Sequence, residues 1–472
     1  MRLMSQVITW SITLLVVRLL TPADYGLLAM AMVFVSFISM FSEMGLGAAV
    51  VQQADIDQRL LRRVFGVILL IHFLLASLLA LAAPFIASFY AEPRVLPVIR
   101  VLSLQFVFAG FAVIPDAQLQ RRIEFRNRSL LDLSSAIIAS VTTLAMAFAG
   151  AGVWALVMGS LFSQIWKTIG INWLSPFMHW PDFSVQGMRS LLRFGGHLSA
   201  AQLFWMFFSQ IDILICAKFL GNEVLGFYSL AMHLASLPSQ RISGLVNQVA
   251  FPTFSRMQSE VHKVGVNMLL GAQILSFFAF PILWGMSSIA PEIVEVMLGP
   301  KWTPSVLPLQ LIAIIIPLRM IGNFVQVAIQ ATGRCDIVLR NAMWGALIAP
   351  VAFVIGATGG GLLGMSMAWL VVSPLVFLQG VMRGLPVLGV RLGQLLAVML
   401  PAAGASLAMY AAITVTRLLI GAEQGGLLRL CVMVLIGVIT YSALAFGPNG
   451  KGARAVTETL RGLARAKRPE ST

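Results

Sequence analysis

The sequence is poor in charge. Asp and Glu number 18 in 472 residues, and charged side chains of both signs make up only 11%, under half the roughly 25% of an ordinary soluble domain. Too few charges exist to cover a water-exposed globule, so a soluble fold is excluded. Cysteine is nearly missing too: Cys216, Cys335 and Cys431 lie far apart in or beside apolar stretches, a spacing that builds neither a disulfide framework nor a metal site. Paired acid and base residues for general catalysis are not evident, and the tail stretch Gly447-Pro-Asn-Gly-Lys451 lacks the spacing of a P-loop. No catalytic residue, metal or cofactor is therefore expected, and direct drive by ATP is excluded. Gly359-x-Gly361-x-x-Gly364 and Gly150-x-Gly152-x-x-Ala155 match the dinucleotide fingerprint literally. Each lies between two apolar segments, not between a strand and a soluble helix, and reads as a turn.

What the chain has in abundance is apolar length. The residues AVILMFWYC make up 59%. Breaking the chain at charged, Pro and Gly clusters leaves fourteen apolar segments, at 3–20, 26–51, 64–90, 100–118, 129–149, 153–174, 193–219, 224–250, 266–290, 305–331, 338–358, 361–382, 394–416 and 427–446. All but the short first segment can cross about 30 Å of hydrocarbon at 1.5 Å per residue. They are continuous, unlike the alternating strands of about ten residues in a barrel. The expected fold class is an all-α polytopic membrane protein of about 14 transmembrane helices.

The net charge of +14 would suit a nucleic-acid binder if the cations shared a soluble face. They do not. With the N-terminus inside, 24 of the 32 Lys and Arg residues fall on the inner side, and seven on the outer: Arg18, Arg94, Arg100, Lys218, Lys301, Arg417 and Arg429. Arg319 is left within a span. This asymmetry predicts cytoplasmic termini and needs no nucleic acid.

The chain also resembles itself. Arg18-Leu-Leu-Thr-Pro-Ala-Asp-Tyr-Gly26 aligns with Lys218-Phe-Leu-Gly-Asn-Glu-Val-Leu-Gly226, Ala83-Pro84 with Ala290-Pro291, and Gly150-Ala-Gly152 with Gly359-Gly-Gly361. Six spans separate equivalent points, so the halves share one orientation, the parallel-repeat arrangement of alternating-access transporters. The expected organisation is a six-helix bundle at 1–174, a cytoplasmic linker at 175–192, a second six-helix bundle at 193–383, two added helices at 384–446 and a basic tail at 447–472. The repeat sets Met1 opposite Ala201, well inside the seventh segment, so either the first span is short and tilts little or the natural start lies upstream of Met1. Phe177, Trp180 and Phe183 of the linker suit a membrane interface. The tail places Val456, Leu460 and Leu463 beside Arg454, Arg461, Arg465 and Lys467, a pattern for contact with anionic lipid, or else plain determinants of topology.

Five stretches carry a family likeness: Leu19-Leu20-Thr21-Pro22-Ala23-Asp24-Tyr25-Gly26, Gly45-Leu46-Gly47-Ala48-Ala49, Ala83-Pro84-Phe85-Ile86-Ala87-Ser88-Phe89-Tyr90, Leu119-Gln120-Arg121-Arg122-Ile123-Glu124-Phe125 and Gly152-Val153-Trp154-Ala155-Leu156. Together they resemble the bacterial polysaccharide-export flippases of the multidrug/oligosaccharidyl-lipid/polysaccharide (MATE-like) superfamily, in the exopolysaccharide and colanic-acid exporter branch. The resemblance implies two six-helix bundles around a central cavity and two extra C-terminal helices in the inner membrane. It implies translocation of an undecaprenyl-diphosphate-linked oligosaccharide, with membrane lipids, a polysaccharide polymerase and glycosyltransferases as partners of a monomer. The other readings are a cation-coupled multidrug exporter and a membrane polymerase or ligase enzyme; a cationic interior and short outer loops argue against them.

Charges inside spans are the site candidates, since each costs at least about 2.5 to 3.5 kcal/mol at mid-membrane and needs a partner or a cavity. Arg319, flanked by Pro317 and Gly322, can hold a diphosphate bidentately, with Arg18 and Lys218 at the outer mouth and Arg241 at the inner one. The alternatives are that Arg319 snorkels and that Arg18 and Lys218 mark span ends. Glu43 and Arg241 occupy nearly equivalent places in the two halves and are expected to face each other. Glu43, Asp212 and Asp116 are candidates for ion coupling or gating, or else for buried hydrogen bonds between helices. His72 and His233 are expected to pack. Sugar contacts would fall to neutral residues such as Gln105, Asn247, Gln248, Asn323, Gln326 and Gln330.

Overall fold

The computed structural model describes residues 12–42, 58–122, 125–177, 180–182, 189–420 and 426–447. Among them, all regular structure is helical, because a chain in hydrocarbon must satisfy its backbone groups within each segment. In chain order the helices are α1 (12–19), α2 (Pro22–Ser42), α3 (Gln58–Tyr90), α4 (Val95–Arg121), α5 (Phe125–Phe148) and α6 (Val153–Leu174). A continuous run over Arg189–Arg256 breaks at Gly221, where φ is 81°, giving α7 (189–220) and α8 (222–256). Next come α9 (Val261–Ser288) and α10 (Val306–Ala331). The run Cys335–Gly384 breaks at Gly361 into α11 (335–360) and α12 (362–384), and α13 (Leu392–Ile420) and α14 (Gly426–Phe446) complete the chain. Ten continuous helical runs among the described residues, counting each kinked run once, are long and apolar enough to cross a membrane, making this a multi-pass membrane protein.

The repeat is visible in backbone angles. Gly152 has φ 55° and ψ −132°, and Gly361 has φ 55° and ψ −133°. A side chain in this left-handed region would be strained, which explains glycine at both turns. These are the two fingerprint-like sequences, and they are turns between helices.

The chain forms two compact units, Met1–Ser229 and Leu230–Thr472. In the first, α4 packs against α3 and α6, and α5 against α6. Beyond α6, Phe177 stacks edge-on to Phe65 at 5.3 Å, Asp182 pairs with Arg63 at 3.1 Å, and Gly66 leaves no room for a Cβ beside the Asp182 backbone. The described part of the linker is thus pinned to the start of α3.

The same unit holds a reciprocal crossing of α2 and α8 at their first turns. A Cβ on Gly26 would sit 1.7 Å from the carbonyl oxygen of Asn222, and a Cβ on Gly226 would sit 1.8 Å from that of Pro22. Pro22 and Gly26 are the repeat equivalents of Asn222 and Gly226. Each repeat therefore supplies the glycine that admits the other's backbone.

In the second unit α10 packs on α9, α11 and α12, and α13 packs on α9 and α14. The span containing α10 is 61% buried within the chain and α14 only 17%, so α10 is interior and α14 peripheral. The outlying helices are tied in by Glu292, which is 2% exposed. Its carboxylate accepts two bonds from Arg417 of α13, at 2.9 and 2.8 Å, and lies 3.4 Å from Arg429 of α14. Arg417 also donates to the Ser288 carbonyl. Three of the basic residues assigned outside, Arg94, Arg417 and Arg429, are thereby in ion pairs, Arg94 with Glu92.

Candidate functional site

Arg319 lies at the middle of α10, a 26-residue helix otherwise dominated by Ile, Leu, Val and Ala. Counting forward by 4, 7 and 11 residues gives Asn323, Gln326 and Gln330, which 3.6 residues per turn place on one narrow face. The strip is about 16 Å long at 1.5 Å per residue. Asn323 and Gln330 are exposed, and Arg319 and Gln326 half-buried. The opposite face, with Ile321, Phe324, Val325 and Ala328, is buried.

Neighbouring helices shape this strip. The Arg319 guanidinium lies 4.0 Å from the ring centroid of Trp369 on α12, and Phe353 of α11 packs edge-on against the same indole at 5.0 Å. Trp369 and Phe353 are buried, so the platform under the cation is rigid. A cation over an indole face gains about 0.5 to 2 kcal/mol. Stacking occupies the guanidinium face, and the N–H donors point out around the edge of the plane. Further along, Asn341 of α11 donates to Gln326 at 3.2 Å, and Gln379 of α12 donates to Asn341 at 2.8 Å. Gly380 makes room for this triad, since a Cβ there would lie 2.9 Å from the Gln326 amide nitrogen. A guanidinium and amides turned toward lipid would cost several kcal/mol, so this face suits a water-filled, polar path.

The other sequence candidates fall elsewhere. Lys218 donates to the Phe89 carbonyl in the last turn of α3 and sits 4.8 Å from the Phe89 ring centroid. Its ammonium complements the negative end of that helix. Arg18 is exposed at the end of α1, and Arg241 is exposed on α8. Glu43, expected to face Arg241, lies outside the described residues, as does the basic tail beyond Gly447. Asp212 is buried and accepts a 2.7 Å bond from the Tyr228 hydroxyl, joining α7 to α8. Asp116 forms a forked pair with Arg128 at 3.1 and 3.2 Å and accepts from Gln120 at 2.9 Å. His72 is buried against the Ile68 carbonyl at 2.8 Å. Gln105 donates to Ser160 at 3.2 Å within the first unit.

Sequence reading isolated Arg319 and named three of its amides without joining them; the 4, 7 and 11 spacing was the available signal. Trp369, Asn341 and Gln379 were missed. They come from other helices, and in the sequence a buried Trp or Asn carries no mark of what it faces.

Comparison with known proteins agrees with this architecture. Residues 15–307 match the family model described as polysaccharide biosynthesis protein. The lipopolysaccharide biosynthesis protein WzxC of Escherichia coli (strain K12) is 24% identical over 75% of this chain and 73% of its own length. The teichuronic acid biosynthesis protein TuaB of Bacillus subtilis (strain 168) is 25% identical over 73% of this chain and 72% of its own. Among solved structures, the lipid II flippase MurJ in an inward closed conformation superposes with a TM-score of 0.77 at 14% identity, covering 94% of this chain and 97% of that one. A multidrug resistance MATE family transporter in an inward-facing conformation gives 0.59 at 15% identity, over 81% and 95%. With a family match across more than half of its length, the chain belongs to the polysaccharide biosynthesis protein family and has the MurJ and MATE fold.

Proposed function

We propose that the protein is a flippase that carries an undecaprenyl-diphosphate-linked oligosaccharide repeat unit from the inner to the outer leaflet of the bacterial inner membrane, by alternating access, and is not an enzyme. The observation that carries this reading is the strip on α10. Arg319, braced on Trp369, supplies the fixed cation a diphosphate needs at a depth where phosphate could not otherwise rest. Asn323, Gln326 and Gln330 supply neutral donors and acceptors for sugar hydroxyls along the same face. The relatives' roles in lipopolysaccharide and teichuronic acid biosynthesis support the substrate class. A cationic strip disfavours the multidrug reading, because many such drugs are themselves cations. The proposal includes cytoplasmic termini, a monomer, and a polymerase and glycosyltransferases acting on either side of the transport step. Its organisation is two six-helix bundles at 1–174 and 193–383 and two further helices.

In a strain lacking the protein, lipid-linked repeat units should accumulate and glycan export should stop. Arg319→Ala should restore export poorly, by roughly 10- to 100-fold for the loss of a charged hydrogen bond of about 1.5 to 3 kcal/mol. Arg319→Lys should restore most of it. Full export with both variants would remove Arg319 from the mechanism.

A further inference from the structure

Two stretches that stood out in the sequence, Thr21–Gly26 and Gly150–Leu156, come together where α2 and α6 begin. Between them lies an open cleft of about 260 Å³ lined by Asp24, Arg94, Pro97, Trp154 and the Gly150–Gly152 turn. Asp24 divides its two oxygens. Oδ2 caps the helix, accepting from the Thr21 amide at 2.9 Å and its hydroxyl at 2.6 Å. Oδ1 faces Gly152, where a Cβ would approach to 2.9 Å. Arg94 is held beside the cleft by two 2.8 Å bonds to Glu92, and it senses the charge of Asp24. Trp154 is half-buried, and Gly150 opens onto free space.

The second repeat is an internal control. It builds the same turn, with Gly361 in the backbone conformation of Gly152. Yet it carries Val224 where the first has Asp24, and Leu363 where the first has Trp154. The turn itself therefore does not require an indole, and the acid goes with a cap on Thr21 that the second repeat, with Gly221 at that place, does not build. One half has acquired both, facing one cleft.

The geometry points to a docking site for a single neutral pyranose, its C–H face on the Trp154 indole and its hydroxyls donating to Asp24 and accepting from Arg94. An indole covers the apolar face of a sugar ring, and a carboxylate makes charge-assisted bonds to hydroxyls. Asp24, Glu92 and Arg94 together carry one net negative charge, which disfavours a phosphate or a uronate. On the proposed function, on which this inference rests, the basic-residue asymmetry puts this end of α2 and α6 outside, where an exported glycan would emerge. The inference does not rest on Arg319.

The test uses full-length protein labelled with 5-fluorotryptophan in nanodiscs. The fluorine resonance missing from Trp154→Leu identifies Trp154; if that variant fails to fold, Trp154→Phe serves the same purpose. Methyl β-glucopyranoside and methyl β-galactopyranoside are then titrated to about 50 mM, well above a millimolar Kd. The Trp154 resonance should move saturably while the other indoles stay, and Asp24→Asn, which still caps the helix, should weaken the response about fivefold to tenfold. A Trp154 resonance that stays fixed, that moves equally with glycerol, or that responds unchanged in Asp24→Asn overturns the proposal. Loss of export in Arg319→Ala with an intact Trp154 response would show the two sites to be separate.

Discussion

Replacing Gly26 or Gly226 with alanine tests the crossing of α2 and α8 directly. Real Cβ atoms essentially never come within 3.0 Å of another heavy atom, yet these would reach 1.7 and 1.8 Å from backbone carbonyl oxygens. A carbonyl in a helix cannot swing aside, so the two helices must separate. Overpacking costs about 1 to 3 kcal/mol even where side chains can yield, while the gain from replacing a helical glycine is only about 0.5 to 1 kcal/mol. Each variant should therefore lose roughly 2 kcal/mol, seen as a fall of several degrees in the melting temperature of the detergent-solubilised protein. The two losses should be similar, because the contacts are reciprocal. The double variant should lose less than the total of the two, since one separation relieves both clashes, leaving a coupling of about 1 kcal/mol. Gly404→Ala on α13, with nothing within 4 Å of the added carbon, is the control and should not destabilise. A neutral Gly26→Ala, or losses that add fully, would refute the crossing.

Three further outcomes follow from the packing. Glu292→Gln leaves two guanidiniums without their carboxylate and should cost roughly 3 to 5 kcal/mol, read by melting and by protease access to α13 and α14. Trp369→Phe keeps an aromatic face but weakens the cation interaction by about 0.5 to 1 kcal/mol; export should fall severalfold while the protein stays folded, and unchanged export would separate the stack from transport. Arg94, by its hydrogen bonds and charge, holds the Glu92 carboxyl below the usual carboxylate range. A depressed carboxyl stabilises the fold above its unfolded pKa, and that contribution is lost as pH falls below about 4. Arg94 is exposed and Glu92 half-buried, so solvent screens the pair, the effect should stay under about 1 kcal/mol, and Glu92→Gln should abolish it in melts across that window.

Helical class and repeat were legible because they are written in local signals. Hydrocarbon spans declare themselves by length, and turns such as Gly152 and Gly361 by a conformation that only glycine takes cheaply. The Gly26–Asn222 and Gly226–Pro22 contacts were half visible: the alignment paired the residues, but nothing in it said that they touch. The charges proved least legible. Asp116 and Asp212 stood open between ion coupling or gating and a buried hydrogen bond between helices; Arg128 and Tyr228 meet them from other helices. Partners across a helix interface leave no spacing rule, so a lone acid in an apolar run reads alike whether it is paired or functional.

The Glu292 cluster bears on how the chain comes to be assembled. Glu292 is synthesised well before Arg417 and Arg429, and during that interval the preceding helices exist without these two cations. Until α13 and α14 dock, Glu292 lacks the two guanidiniums that meet its carboxylate. Docking of α13 and α14 therefore supplies both arginines that pair with Glu292. A chain ending before α13 would leave that carboxylate without them, and an uncompensated charge is costly to bury.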